Sequence, residues 1–135
     1  MRKPLKVIVS GFIMLLLAGF FLVDTIPSRS LTVTRMSVTK RRILQFAHQI
    51  NRLPSTLAEL PPMPGYDTET TDAWKRQLDY GTDDSGVVTL RSLGADKHLG
   101  GDGDNRDMTG VFISRNAQGN WQEDLTEWIQ DPNRP

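Results

Sequence analysis

Carboxylates and glycines are concentrated in one stretch of the chain, SLGADKHLGGDGDNRD, at residues 92–107. The stretch follows the strand-like run VVTL, and its four aspartates are Asp96, Asp102, Asp104 and Asp107. Over the whole chain the charges balance, with 16 basic and 16 acidic residues, so the local negative charge stands out. These residue types predict one of three things: a solvated turn, a catalytic pair of acids, or a site for a hard cation.

The catalytic interpretation has the least support in the sequence. A carboxylate pair needs environments that separate the two pKa values, and nothing in this polar, glycine-rich stretch buries one member. The chain has no cysteine and no G-x-S-x-G motif, and His48 and His98 have no recognisable nucleophile to activate. A G-x-G begins at Gly101, but Arg106 stands where a dinucleotide-binding motif needs its third glycine. We therefore expect neither an enzyme nor a small-molecule substrate.

Calcium fits the composition of the stretch better. The ion takes six to eight oxygen ligands in flexible geometry, from carboxylates and backbone carbonyls alike. The glycines would let the backbone turn tightly enough to aim carbonyls inward. The spacing is not that of an EF-hand, because Arg106 occupies a ligand position. A solvated aspartate–glycine turn is the alternative, and the residues alone leave both interpretations open.

The N-terminal segment predicts the compartment. Residues 7–23 are apolar apart from Ser10, and Arg2, Lys3 and Lys6 precede them. Such a run can cross a bilayer when flanking residues join the helix, and the positive charges keep the N-terminus in the cytoplasm. A cleaved secretory signal is the alternative, but no A-x-A pattern follows the run. Residues 1–27 are therefore predicted to be a cytoplasmic tip and a single-pass inner-membrane anchor, with the C-terminal domain in the periplasm.

The exported part, residues 28–116, has an α+β pattern. The run VTKRRILQFAHQINRL predicts an amphipathic helix that ends before Pro54. Its apolar side consists of Ile43, Phe46, Ala47, Ile50 and Leu53. Its polar side consists of Arg41, Arg42, Gln45, Gln49 and Arg52. A small antiparallel sheet should follow, with strands in RQLDYGT and GVVTLRS around a DDSG turn, and a third strand in GVFISRN. Residues 117–135 form a C-terminal extension, in which we expect one short helix at residues 125–129 with Trp121 and Trp128 as packing anchors. The balanced charge indicates no nucleic acid partner.

Two segments together resemble a known family. TDAWKRQLDY followed by LRSLGADKHLGGDGDNRDM resembles the C-terminal domain of the major (G-type) pseudopilin of type II secretion systems, over residues 39–108. The positions that match its motifs are Asp72, Trp74 and Tyr80 in the first segment, and Ser92, Leu93, Gly94, Ala95, Asp96, Gly100, Gly101, Gly103 and Asp107 in the second. The resemblance implies a long N-terminal helix, a small sheet and a calcium-binding loop. It also implies that the Leu93 carbonyl and the Asp96 and Asp107 carboxylates bind Ca²⁺, with Asp102 and Asp104 as further candidates.

The chain departs from this family in its N-terminal segment, which in the family is cleaved by a peptidase and guides filament assembly. A degenerate cleavage junction lies between Gly11 and Phe12, but Leu16 holds the position of the glutamate that the family requires. Two hypotheses follow from the resemblance and its departures. The first is a pseudopilin-like structural component of a type II secretion system, or a protein derived from one, with other pseudopilins or secretion-machine subunits as partners. The second is a stand-alone membrane-anchored periplasmic binding module that joins no filament.

Overall fold

One long helix and a three-stranded antiparallel sheet make up the α+β architecture that the sequence predicts. The computed structural model describes residues 25–134, so residues 1–24 of the predicted anchor segment, with the junction between Gly11 and Phe12, lie outside the described residues. The elements are α1 (Ser28–Ile50), a 3-10 turn (Leu57–Glu59), β1 (Asp79–Thr82), β2 (Val87–Ser92), a second 3-10 turn (Gly103–Asn105) and β3 (Met108–Ile113). Within residues 25–134, no helix has both the length and the apolar character needed to span a bilayer.

Helix α1 begins directly after Pro27 and ends before Pro54. Proline is well suited to a helix start, because its missing N–H is one of those that the first turn leaves unpaired. At the other end Asn51 takes the left-handed conformation, with φ 59°, and its N–H donates to the Ala47 carbonyl oxygen at 2.9 Å. Asparagine tolerates this conformation and often closes a helix in this way. The helix is therefore longer at its start, and shorter at its end, than the sequence predicts.

The buried face of α1 agrees with the predicted stripe only in part. Ile43, Phe46 and Ala47 are buried in the core, but Ile50 is 52% exposed because the helix ends there. Arg42 was predicted on the polar face and is instead buried. Its guanidinium donates to three backbone carbonyls of the following loop, those of Leu60 (2.8 Å), Pro61 (2.8 Å) and Thr68 (2.6 Å). A buried cation is tolerated here because these carbonyls satisfy its donors.

The sheet has the order β1-β2-β3, and its inner face packs on α1. Asp83 closes the β1–β2 hairpin, since its carboxylate accepts from the N–H groups of Ser85 (3.0 Å) and Val87 (2.9 Å). The predicted DDSG turn is therefore confirmed. Alternate residues of β2 and β3 point inward, and the buried core contains Val88, Leu90, Met108 and Phe112 from the sheet with Met36, Ile43 and Leu44 from the helix.

The C-terminal segment, residues 117–134, contains no helix, so the helix predicted at residues 125–129 is wrong. The segment runs along the outer edge of β3: the Val111 N–H donates to the Gln130 carbonyl at 3.0 Å, and the Ile129 N–H donates to the Val111 carbonyl at 2.7 Å. An extended chain can satisfy the backbone groups of a sheet edge, whereas a helix cannot.

Trp128 anchors the C-terminal segment, as predicted. Its ring packs edge-to-face on Phe112 with 5.7 Å between centroids. Gly110 leaves room for this ring, because a Cβ at that position would lie 2.5 Å from Trp128 Cζ3. Trp121 is half-buried and lies nearer the surface, with the Arg115 guanidinium 3.5 Å from its ring centre. Trp128 is therefore the stronger of the two packing anchors.

Candidate functional site

The acidic loop, residues 93–107, connects two neighbouring strands. It leaves β2 after Ser92 and enters β3 at Met108, and these two residues are paired across the sheet. The ends of the loop are thus fixed side by side, so any change in the loop acts directly on the pairing of β2 with β3.

Asp72 joins the two segments that carry the family resemblance. Its carboxylate is buried, and Oδ1 accepts from the N–H groups of Trp74 (2.9 Å) and Arg76 (3.0 Å). Oδ2 accepts from the Ser92 hydroxyl at 2.9 Å and lies 3.3 Å from Arg76 Nε. The Ser92 hydroxyl in turn accepts from the Gly94 N–H at 3.3 Å. A residue of the first segment therefore holds the beginning of the acidic loop.

Arg35 supports the same region from α1. This buried guanidinium donates to Asp67 Oδ2 at 2.8 Å and to the Asp72 carbonyl at 3.0 Å, and lies 3.1 Å from Glu69 Oε2. The N–H of Glu69 and the Arg35 guanidinium lower the pKa of Asp67 below its ordinary value. Arg35 was not predicted as a positioning residue, and its only sequence signal is its place in the basic first half of the chain.

Inside the acidic loop the backbone folds back on itself. The Ala95 N–H donates to the Asp104 carbonyl at 2.7 Å, and the Asp107 N–H donates to the Gly100 carbonyl at 3.3 Å. Gly94 makes this close approach possible, with φ 69° and a virtual Cβ only 2.5 Å from the Asn105 carbonyl oxygen. At this position the backbone conformation and the close approach both require glycine.

The predicted ligands lie on one loop but in different environments. Asp96, Asp102 and Asp104 are exposed, whereas Leu93 and Asp107 are half-buried. Asp96 Oδ1 accepts from the His98 N–H at 3.0 Å, an interaction typical of an aspartate turn. Within residues 25–134, no three side chains of His, Cys, Asp or Glu come together as a potential metal-binding group. An ion held by this loop would therefore depend on backbone carbonyl oxygens as well as carboxylates.

Asp107 carries the one buried oxygen of this set that lacks a partner. No donor among residues 25–134 reaches its Oδ1, although that atom is shielded from solvent. A buried carboxylate oxygen without a hydrogen bond is costly, because it has lost its water and gained nothing in exchange. A cation placed beside this oxygen would offset that cost.

Arg29 brings a positive charge to the acidic loop from the first turn of α1. One of its terminal nitrogens, Nη1, donates to the Gly103 carbonyl at 2.9 Å and to the Arg106 carbonyl at 2.7 Å. It thereby binds two backbone oxygens of the kind that a metal ion would otherwise use, and it ties the loop to the start of the helix. The predicted amphipathic helix began after Arg29, so the sequence analysis did not include this contact.

Against known proteins, the chain matches no family model, no curated protein and no solved structure. The resemblance to pseudopilins therefore rests on the motif residues of the sequence alone.

Proposed function

We propose that this protein is a membrane-anchored, pseudopilin-like structural protein, a component of a type II secretion system or derived from one. Residues 1–27 anchor it in the inner membrane, and the following domain lies in the periplasm. Calcium stabilises that domain through the acidic loop. The role is cohesive rather than catalytic, and the partners are the membrane and other subunits of the machine.

The observation that carries the proposal is the hydrogen bond between Asp72 and Ser92. These two residues come from separate segments of the resemblance, and the buried contact of 2.9 Å makes them parts of one structural unit. Trp74 and Tyr80, from the first segment, pack against the same hydrophobic core. A chance likeness between two short stretches would not require their matched residues to meet in space.

The acidic loop offers the oxygen ligands that calcium prefers, which are carboxylates and backbone carbonyls. The Leu93 carbonyl and the Asp96 and Asp107 carboxylates would hold the ion, with Asp102 and Asp104 near enough along the chain to contribute. The ion would supply the positive charge that offsets the repulsion among four carboxylates. Because the loop joins β2 to β3, ordering it would stabilise the pairing of these strands.

Thermal unfolding of the full-length chain in detergent, with calcium and with a chelator, tests the metal. Binding to the folded state alone adds about 2.7 kcal/mol when free calcium is about 100-fold above the dissociation constant. We expect a higher Tm in calcium, little effect of magnesium, which demands strict octahedral geometry, and loss of the calcium effect in Asp107→Asn.

Asp84→Asn is the matched control for that experiment. Asp84 is an exposed aspartate on the β1–β2 turn, outside the acidic loop, so its variant should keep the full calcium response. If the parent protein melts at the same temperature in calcium and in chelator, the acidic loop is a solvated turn and the metal is removed from the proposal.

The second candidate, an anchored binding module outside any filament, is favoured by a groove in the C-terminal segment. The groove has a volume of about 590 Å³, and Leu125 and Ile129 line it while 72% and 61% exposed. Mass spectrometry of the mature chain separates the two candidates. A chain cut between Gly11 and Phe12 supports entry into the pseudopilin pathway, whereas an uncut chain supports the stand-alone module.

A further inference from the structure

The tip of the acidic loop, residues 97–99, differs in chemistry from the rest of the loop. It reads Lys-His-Leu and contains no carboxylate, and all three residues are exposed. Leu99 is 73% exposed, the highest value among the large apolar side chains of the described residues. Lys97 has the left-handed backbone conformation, with φ 63°. An apolar side chain beside a lysine is the combination that suits the boundary between lipid headgroups and acyl chains.

Arg29 determines where the acidic loop lies along the helix. Its contacts with the Gly103 and Arg106 carbonyls place the loop at the N-terminal end of α1. The opposite end of α1 lies about 33 Å away, since the helix rises about 1.5 Å per residue from Arg29 to Asn51. The β1–β2 turn is at that distant end, where Asp84 and Asn51 border one cavity.

The N-terminal end of α1 is also where the apolar segment joins the domain. Only five residues lie between Val23, the last of the apolar run, and Arg29, so six Cα–Cα steps connect them. A chain of that length spans at most about 20 Å even when fully extended. Ile26, which lies within this short connection, is 69% exposed. If residues 7–23 cross the bilayer, the acidic loop is therefore held close to the membrane surface.

We propose that the loop tip docks on the outer surface of the same bilayer that holds the anchor, with Leu99 entering the interfacial layer and Lys97 meeting lipid phosphates. The inference rests on the proposed membrane anchoring and adds a second, peripheral contact to it. Asp96, Asp102 and Asp104 flank the tip and are exposed, whereas the tip itself carries only the lysine, the histidine and the leucine. The loop would thereby fix the tilt of the domain relative to the membrane.

A fluorescence experiment on the full-length chain tests this contact. The chain has no cysteine, so His98→Cys or Asp84→Cys gives a single labelling position for an environment-sensitive dye. The labelled protein is placed in phosphatidylcholine nanodiscs that contain a headgroup-nitroxide lipid. We expect several-fold stronger quenching and a blue-shifted emission at position 98 relative to position 84, which lies at the far end of α1.

Two further variants connect the signal to the proposed residues. In the His98→Cys background, Leu99→Ser should reduce quenching to the level seen at position 84, whereas Leu125→Ser, at an equally exposed leucine, should leave it unchanged. Equal quenching at positions 98 and 84 in a chain that is stably inserted would overturn the docked tip and leave the anchor intact. A chain that fails to enter the nanodiscs would overturn both the anchor and the inference.

Discussion

Asp72 and Asp107 both lie where β2 and β3 are paired at Ser92 and Met108: Asp72 binds the Ser92 hydroxyl, and Asp107 directly precedes Met108. Their carboxylates differ in how far their oxygens are hydrogen-bonded. Both oxygens of Asp72 are engaged, by two backbone N–H groups, the Ser92 hydroxyl and the Arg76 guanidinium. Asp107 has a shielded oxygen that no donor in residues 25–134 reaches. The saturated carboxylate positions the chain, whereas the other has an oxygen that is left without a hydrogen bond. The difference shows why the number of acids on a loop is a poor guide to their role.

The largest expected effect comes from removing the saturated carboxylate. Asp72→Ala leaves Ser92 and two N–H groups without their acceptor and removes the ion-pair partner of Arg76, so we expect a loss of about 3–5 kcal/mol in the free energy of unfolding. Urea unfolding followed by tryptophan fluorescence measures it. Asp84→Ala, at an exposed position, should change stability by no more than about 0.5 kcal/mol. Equal stability of the two variants would mean that the hydrogen bonds of Asp72 do not contribute to the free energy of unfolding.

The contact between Arg29 and the acidic loop should rank second. Arg29→Ala removes two hydrogen bonds from a charged donor, and we expect a loss of about 1.5–3 kcal/mol. Hydrogen exchange should quicken at Asn105 and Arg106 first, because the loop is then released from α1. Arg134→Ala, whose side chain is 83% exposed, serves as the control. Unchanged exchange in the loop would show that the backbone fold of the loop stands without Arg29.

A pair of glycine variants sharpens the comparison inside the acidic loop. Gly94 and Gly100 both have positive φ, 69° and 86°, but only at Gly94 would a Cβ collide with the Asn105 carbonyl. At Gly100 no described atom lies within 4 Å of that Cβ. Gly94→Ala should therefore be less stable than Gly100→Ala by about 1–3 kcal/mol in urea unfolding. Similar values would indicate that the loop relaxes freely around position 94.

Tyr80 should give the smallest effect and a distinct pH dependence. Its hydroxyl donates to the Pro54 carbonyl at 2.8 Å, so Tyr80→Phe should cost about 0.5–1.5 kcal/mol at neutral pH. Burial raises the pKa of Tyr80 from 10.0 to about 12. The folded protein thus keeps a proton that the unfolded chain loses, and this contribution, present below pH 10, disappears as pH rises to about 12. The Phe variant should lose less stability across that window than the parent, while Tyr66→Phe, at an exposed tyrosine, should behave like the parent.

The strands and turns were the most predictable part of the fold. The DDSG turn has a local cause, because the Asp83 carboxylate binds N–H groups two and four residues along the chain. Local chemistry of this kind can be recognised from sequence. The buried cations could not be predicted in the same way. Arg42 and Lys40 can be buried because carbonyl oxygens far along the chain, including those of Leu60 and Thr126, accept hydrogen bonds from their side chains. Helical periodicity alone assigns such residues to the surface.

The acidic loop shows the same division between local and distant causes. The glycines and aspartates of the loop predict tight turns, and the positive φ angles of its glycines and the Asp96 turn confirm them. The Arg29 contacts depend on the helix starting ten residues before the predicted amphipathic run, and the isolated oxygen of Asp107 depends on how Met108 enters the sheet. Whether the loop binds calcium stays a prediction, since ligation depends on the arrangement of carbonyls and not on the count of acids.

The pairing of the C-terminal segment with β3 has a consequence for how the chain must fold. Until residues 121–130 are in place, β3 presents open backbone donors and acceptors beside the exposed Ile113. An open strand edge next to apolar side chains is a template for association with other chains. During synthesis this edge stays open until the C-terminal segment has emerged. A chaperone that holds the emerging chain would therefore be needed longest at β3, and shortening the C-terminal segment should promote aggregation before it alters the architecture of the folded domain.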